Sequence, residues 1–222
     1  MVEVNETNLP INKVDPRKAA RGDRLADQYE NTIMRGKLPG IEEMTTKLHK
    51  KLFTTIFVGT AGAYRSTAGY IVGLGPEIPE YYMIARRMGE FGLEADSRIN
   101  ELRRGFDSTE KILDTAFWIH YQIASIHPFP DGNGRVARRV MNIILTKFGL
   151  KPIVLGPRSK SKYLDSLDNV SRTGDLDYLN LFLAKNLYED YLGIEAGTGL
   201  QYQYKIRNYI GKINERFLEQ YG

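Results

Sequence analysis

The run His127-Pro128-Phe129-Pro130-Asp131-Gly132-Asn133-Gly134-Arg135-Val136-Ala137-Arg138 joins two helical patterns and sets the architecture around them. Before it, Ile112, Leu113, Ala116, Phe117, Trp118, Ile119, Ile123 and Ala124 form a segment apolar on nearly every side, as a central buried helix requires. Proline disfavours right-handed helix in the residue before it, so that helix stops at His127. Beyond the glycines, Val136, Val140, Ile143 and Ile144 resume helical spacing, with Gly134 opening the segment. No folding requirement explains a histidine, an aspartate, a Gly-Asn-Gly turn and two arginines at this density. A site does.

An imidazole, with an ordinary pKa of about 6.5, is the natural general base near neutral pH, and His127 is the candidate. A lone histidine is more often a hydrogen-bonded structural residue. That reading is kept for His49 and His120, which fall inside helical patterns without ligand-type neighbours. Phe129 reads as an anchor that pins the loop into the core. Asp131 has two readings: half of an Asp-Gly turn, or a single carboxylate for Mg²⁺ whose other ligands are phosphates and water. Gly132, Asn133 and Gly134 at a helix start turn backbone N–H groups towards one point, where the helix dipole favours phosphate. Arg135 and Arg138, three apart, share a helix face and can bind one anion together. Arg139 points elsewhere and is expected at the surface. These parts describe a nucleotide polyphosphate with Mg²⁺ beside a base that deprotonates an incoming hydroxyl, which then attacks phosphorus. The chain has no Gly-x-x-x-x-Gly-Lys-Ser/Thr loop, which excludes the P-loop enzymes.

Outward from the motif the chain reads mostly as helix. Asp15-Pro16 predicts an N-cap followed by proline in the first turn of a helix that ends near Gly36–Gly40. Met44, Leu48 and Leu52 predict a second helix from Ile41 to about Phe53. Residues 57–80 are rich in Gly and Pro around the β-prone Tyr70-Ile71-Val72 and read as a loop with a short hairpin. Helix returns over 80–104. Asp107-Ser108-Thr109-Glu110 then predicts a capping box with Asp107 as the cap. Further helices are predicted over 159–172 and 176–190, then a linker-like break at Gly193–Gly199 and a tyrosine-rich helix over 201–220. The expected fold class is all-α with one small β-hairpin. The expected organisation is an N-terminal extension over 1–14, one domain over 15–190, and a C-terminal linker and helix over 191–222.

The 222 residues, 42% hydrophobic and 26% charged, suit one globular domain with appendages. The absence of cysteine removes disulfides, Cys-based metal sites and thiol nucleophiles, and fits a reducing compartment. A cytoplasmic protein is expected, and a secreted effector is also compatible. The net charge of +4 is not gathered into a Lys/Arg run, so no nucleic-acid partner is expected. Met1–Glu6 lacks the pattern of a secretory signal, and no apolar run approaches the roughly 18 residues of a membrane span.

The motif resembles the signature of the Fic (filamentation induced by cAMP) family, His-Pro-Phe-x-Asp/Glu-Gly-Asn-Gly/Lys-Arg-x-x-Arg, at all nine specified positions. Gly62-Ala63-Tyr64-Arg65 looks like the segment that precedes the family's β-hairpin flap, and Arg158–Tyr163 and Gly174-Asp175-Leu176 look like the starts of its closing helices. The resemblance implies a Fic fold, a helical bundle around a central motif helix pair, over about residues 15–190. It implies transfer of AMP from ATP to a Ser, Thr or Tyr hydroxyl of a target protein. His127 would be the base and Asp131 the Mg²⁺ ligand, with Gly132, Asn133, Gly134, Arg135 and Arg138 on the phosphates. Ser66, Thr67, Ala68, Gly69, Tyr70, Ile71, Val72 and Gly73 would be the flap that docks the target as an added strand.

Gly134 favours adenylyl transfer over the similar Doc-like branch, which carries Lys there and moves the terminal phosphate. Transfer of UMP, phosphocholine or phosphate by the same site remains an alternative, as does a catalytically silent binding protein. Many family members carry an inhibitory Ser/Thr-x-x-x-Glu-Gly/Asn helix. The nearest stretch here, Ala26-Asp27-Gln28-Tyr29-Glu30-Asn31, has alanine at the first position and falls inside the first core helix, so it reads as coincidence. Either an antitoxin-like partner would then supply the glutamate to Arg138, or the enzyme is not restrained in this way. The tail tyrosines Tyr202, Tyr204, Tyr209 and Tyr221 suit either a helix packed on the domain or a homo-oligomer contact.

Overall fold

The computed structural model describes residues 15–69, 78–104, 108–191 and 198–221. Among these the fold is all-α. Eight helices follow in order: α1 (Pro16–Arg35), α2 (Ile41–Phe53), α3 (Ile84–Arg104), α4 (Thr109–Ile126), α5 (Asn133–Lys147), α6 (Lys160–Thr173), α7 (Asp177–Tyr191) and α8 (Thr198–Tyr221). No strand occurs among the described residues, and 57–69 form turns and irregular loop. The rest of the expected hairpin, 70–77, lies outside the described residues, as do 1–14 and most of the linker-like break.

α4 is the hub, because it is apolar all round. Leu113, Ala116, Phe117, Ile119 and Ile123 are fully buried, each worth roughly 1–3 kcal/mol of burial. It packs against α5, α3, α7 and α8, while α2 lies on α1, α3 and α5. Its cap is Ser108, whose hydroxyl accepts from Lys111 N–H at 3.2 Å, and not Asp107. Position N3 of that helix is therefore lysine, which cannot complete a capping box. α1 begins as predicted: the Asp15 carboxylate accepts from Arg17 N–H at 2.9 Å, with Pro16 in the first turn. Gly40 has no side chain with which to cap α2, so Asp96 on α3 accepts from Ile41 N–H at 2.8 Å.

α5 is fastened to α1 at two points. Lys147 donates to the carbonyls of Ile33, Met34 and Gly36 at 2.7–3.1 Å, which neutralises the C-terminal end of α1. Arg139, expected at the surface, is drawn instead onto α1, where it pairs with Asp23, Asp27 and Glu30. At the other end Tyr209 of α8 donates to Asp114 of α4 at 2.6 Å, and Arg216 pairs with Asp177 of α7. The tail helix is thus packed on the domain.

α1 crosses α2 at Gly22, where an added Cβ would lie 2.0 Å from the Leu52 carbonyl oxygen. Gly211 in α8 faces open space instead. Gly22→Ala should destabilise the chain by about 1–3 kcal/mol through overpacking. Gly211→Ala should stabilise it by about 0.5–1 kcal/mol. Urea unfolding of both variants checks this, and equal effects of the two would refute the packing assignment.

Candidate active site

Pro128 bars helix at His127, and the backbone there turns left-handed, with φ 51° and ψ 57°. It is the single non-glycine residue with positive φ among the described residues. Such a conformation costs about 1–3 kcal/mol and persists where the surroundings over-determine it. His127 N–H still reaches the Ile123 carbonyl at 3.2 Å, closing α4. The imidazole is buried, and its Nδ1 lies 3.4 Å from the Ala124 carbonyl, which can only accept.

The loop after His127 is held from inside. Asn133 closes it by a reciprocal pair, its Oδ1 accepting from Phe129 N–H at 2.9 Å and its Nδ2 donating to the Phe129 carbonyl at 2.8 Å. The Asn133 side chain is thus turned away from an anion, and what it offers a phosphate is its backbone N–H. Phe129 is fully buried and stacks on His49 at 3.9 Å between ring centres. His49 accepts from Gly62 N–H at Nδ1 (2.8 Å), so its Nε2–H donates to the Asp131 carbonyl (3.1 Å). It fixes the motif turn against the 62–65 segment. Burial, then the nearby Arg135 cation, push its pKa down to about 4 against the backbone bond. Gly132 is left-handed at φ 81°, and a Cβ there would sit 2.2 Å from the Phe53 ring, so only glycine fits.

The N-cap of α5 is Gly132, which has no side chain with which to cap it, and a helix start of this kind presents backbone N–H groups and a positive dipole end. Arg135 lies 4.7 Å over the Phe53 ring and Arg138 5.7 Å over the Tyr163 ring, which set the two guanidiniums on either side of that helix end. Tyr163 OH lies 3.2 Å from Nε2 of the fully buried His120. Burial, with Arg138 adding to it, pushes His120 down to about 3. The Asp131 carboxylate is half-buried at the rim of the turn, with Oδ1 2.6 Å from Gly132 N–H. Among the described residues no group of three or more His, Asp or Glu could hold a metal. The donor set at Asp131 suits one carboxylate ligand to an ion that arrives with phosphates.

His127, Asp131 and Gly132–Arg138 thus come together at the junction of α4 and α5. The expected flap is in part described: Ser66, Thr67, Ala68 and Gly69 form irregular backbone, and Tyr70, Ile71, Val72 and Gly73 lie outside the described residues. His49, His120 and Tyr163 are supporting residues that their spacing does not reveal. Glu30, in the stretch resembling an inhibitory helix, is engaged by Arg139.

An all-α bundle with a buried left-handed histidine and an arginine-flanked helix start in one loop narrows the class of protein. Residues 41–145 match the Fic/DOC family, and the chain carries a domain of that family. Protein adenylyltransferase fic-1 of Caenorhabditis briggsae is 29% identical over 140 residues, which are 63% of this chain and 26% of that protein. Protein adenylyltransferase Fic of Drosophila virilis is 27% identical over 183 residues, 82% of this chain and 36% of that protein. The chain therefore spans well under half the length of these curated relatives. Among solved structures, a fragment of Fic-1 from C. elegans superposes with a TM-score of 0.61 at 21% identity, covering 94% of this chain and 55% of that one. A Fic domain containing signaling protein from Bacteroides thetaiotaomicron gives 0.59 at 19%, covering 89% and 72%. Both share the fold. No helix among the described residues is long and apolar enough to cross a membrane.

His49 and His120 both lie below the ordinary histidine value, so the unfolded chain takes up their protons first as pH falls. Their stabilising effect is full above about pH 6.5 and is lost progressively below it. Each should contribute a slope approaching about 1.4 kcal/mol per pH unit down to about pH 5. Below that, Glu30 and Asp114, both raised by burial, oppose it. Urea unfolding at several pH values should show this slope, reduced by about half in His120→Gln. An unchanged slope in the variant would exclude His120 as a source.

Proposed function

We propose that the chain is a protein adenylyltransferase that moves AMP from ATP to a Ser, Thr or Tyr hydroxyl of a target protein. The observation that carries this reading is the shared junction of a left-handed, buried His127 and the start of α5 at Gly132, beside Arg135 and Arg138. The names of the curated relatives support it. Nε2 of His127 takes the proton of the target hydroxyl as its oxygen bonds to the α-phosphorus. The bond from that phosphorus to the oxygen bridging it to the β-phosphate breaks, and pyrophosphate leaves. The N–H groups of Asn133 and Gly134, with Arg135 and Arg138, stabilise the charge that develops on the phosphates. Asp131 would hold the Mg²⁺ that accompanies the triphosphate and offsets its charge.

Gly134 supports AMP transfer over transfer of the terminal phosphate. A Cβ at that position would already lie 3.2 Å from Arg138 Nη1, so a lysine would displace this guanidinium from the phosphates. Residues 66–73 serve in this reading as the strand that pairs with the target backbone.

ATP labelled on the α-phosphate, incubated with the protein and Mg²⁺ in cell extract, should label target proteins. His127→Ala should reduce labelling by about 10²–10⁴-fold, and Arg138→Ala by about 10²–10³-fold. Label arriving from the γ-phosphate instead would make the chain a kinase and refute the proposal.

Arg138 is also the group a partner's glutamate would neutralise, since Glu30 is engaged by Arg139. Activity unchanged by the product of the neighbouring gene would count against such a partner.

A further inference from the structure

Arg65 is a guanidinium only 4% exposed, and the groups it meets are backbone carbonyls. Nε donates to His127 O at 2.8 Å, Nη1 to Thr67 O at 3.1 Å, and Nη2 to Pro79 O. Its own backbone N–H donates to Pro128 O at 2.8 Å. One residue therefore binds two consecutive carbonyls of the motif loop and the carbonyls of Thr67 and Pro79. Gly69 packs on the same side chain, its missing Cβ lying 3.6 Å from Arg65 Cδ and 3.2 Å from Ile78 Cδ1.

The two motif carbonyls belong to the peptide planes on either side of Pro128. The plane that follows His127, held by Arg65, and the plane that precedes it, held by His127 N–H on the Ile123 carbonyl, together fix the left-handed turn, and the turn fixes where the imidazole points. A strained residue of this kind keeps its conformation only when its neighbours impose it. Arg65 imposes it through the His127 and Pro128 carbonyls. Burial of a guanidinium is costly, and pulls Arg65 below its ordinary pKa, with Glu80 acting against that. A side chain wanted only for packing would not carry that cost.

We infer that Arg65 is a positioning residue for the base: its planar fork fixes the backbone of His127 together with that of Thr67 and Pro79. This rests on His127 acting as the base in the proposed reaction. A displacement of Thr67 or Pro79 is then transmitted to His127 through one rigid group. Lysine, a point charge on a flexible stem, cannot hold three carbonyl directions at once.

The chain has three histidines, so labelling with ¹³Cε1-histidine gives three ring signals, and His127→Ala assigns one of them. In Arg65→Lys, and in the milder Arg65→Gln should lysine unfold the chain, the His127 signal should move while that of the fully buried His120 stays. The dissociation constant for MgATP should change by less than about two-fold, because α5 and its arginines are untouched. The kcat for AMP transfer should fall about 100-fold, the scale of a misplacement near 1 Å. Movement of both histidine signals, or an equal loss of ATP affinity and kcat, would make Arg65 a general support of the fold and overturn the inference. An unmoved His127 signal, or a moved one with full kcat, would also overturn it. If the wild-type chain transfers no AMP, the proposed function fails by itself, and the histidine signals still decide whether Arg65 sets His127.

Discussion

The left-handed turn at His127 is the constraint on which the site depends. α4 is buried on nearly all sides and cannot shift to suit a ligand, and Pro128 forbids it to continue. The chain must therefore reverse within six residues and begin α5 against the same helix. Such a reversal inside a core exposes backbone groups that need partners. Asn133 serves Phe129, His49 serves Asp131 and Gly62, and Arg65 serves His127 and Pro128. Each partner is buried, so the loop is as rigid as the helices on either side. Rigidity of this kind lets a single imidazole and a helix start keep a fixed relation before any substrate arrives.

Charge explains why the supporting histidines are neutral. Arg135 and Arg138 each lie close enough to one of these histidines to bias it against protonation. Burial is the larger cause in each case. A protonated His49 would also lose its acceptor for Gly62 N–H, since both ring nitrogens would then donate. The scaffold thus places near its cations two aromatic rings that resist adding a further positive charge. The cation that does lie inside, Arg65, faces carbonyl dipoles and not another cation.

Much of this was legible in the sequence, because helix signals are local. Asp15-Pro16, the period of Met44, Leu48 and Leu52, and the apolar run before His127 each depend on residues within a few positions of one another. Capping was read one residue early at α4, since Asp107 and Ser108 are both good caps and the choice depends on where the chain enters. The motif residues were legible because their types are chemically improbable together. Their supports were not. His49 and Asp131 are 82 positions apart, and nothing in the spacing of either says that they meet. Arg139 was misjudged for the same reason: its partners on α1 lie more than a hundred residues away.

α5 carries two sets of cations on adjoining faces, and only one of them meets α1. Arg135 and Arg138 point to the helix start, while Arg139, about 100° further round, points to α1. Three carboxylates around one guanidinium look like a strong fastening, but Asp23 and Asp27 are about half exposed and Glu30 is raised by burial. Exposed pairs of this type are worth about 0–1 kcal/mol each. Ala26 and Ile33 are buried, and Gly22 lets α1 approach the backbone of α2. Burial of apolar surface at that crossing contributes more than the ions do. Arg139 therefore sets the angle at which α1 meets α5 and adds little to how tightly it is held. α1 stays in place through α2, so the adjoining face of α5, which carries Arg135 and Arg138, does not have to hold α1.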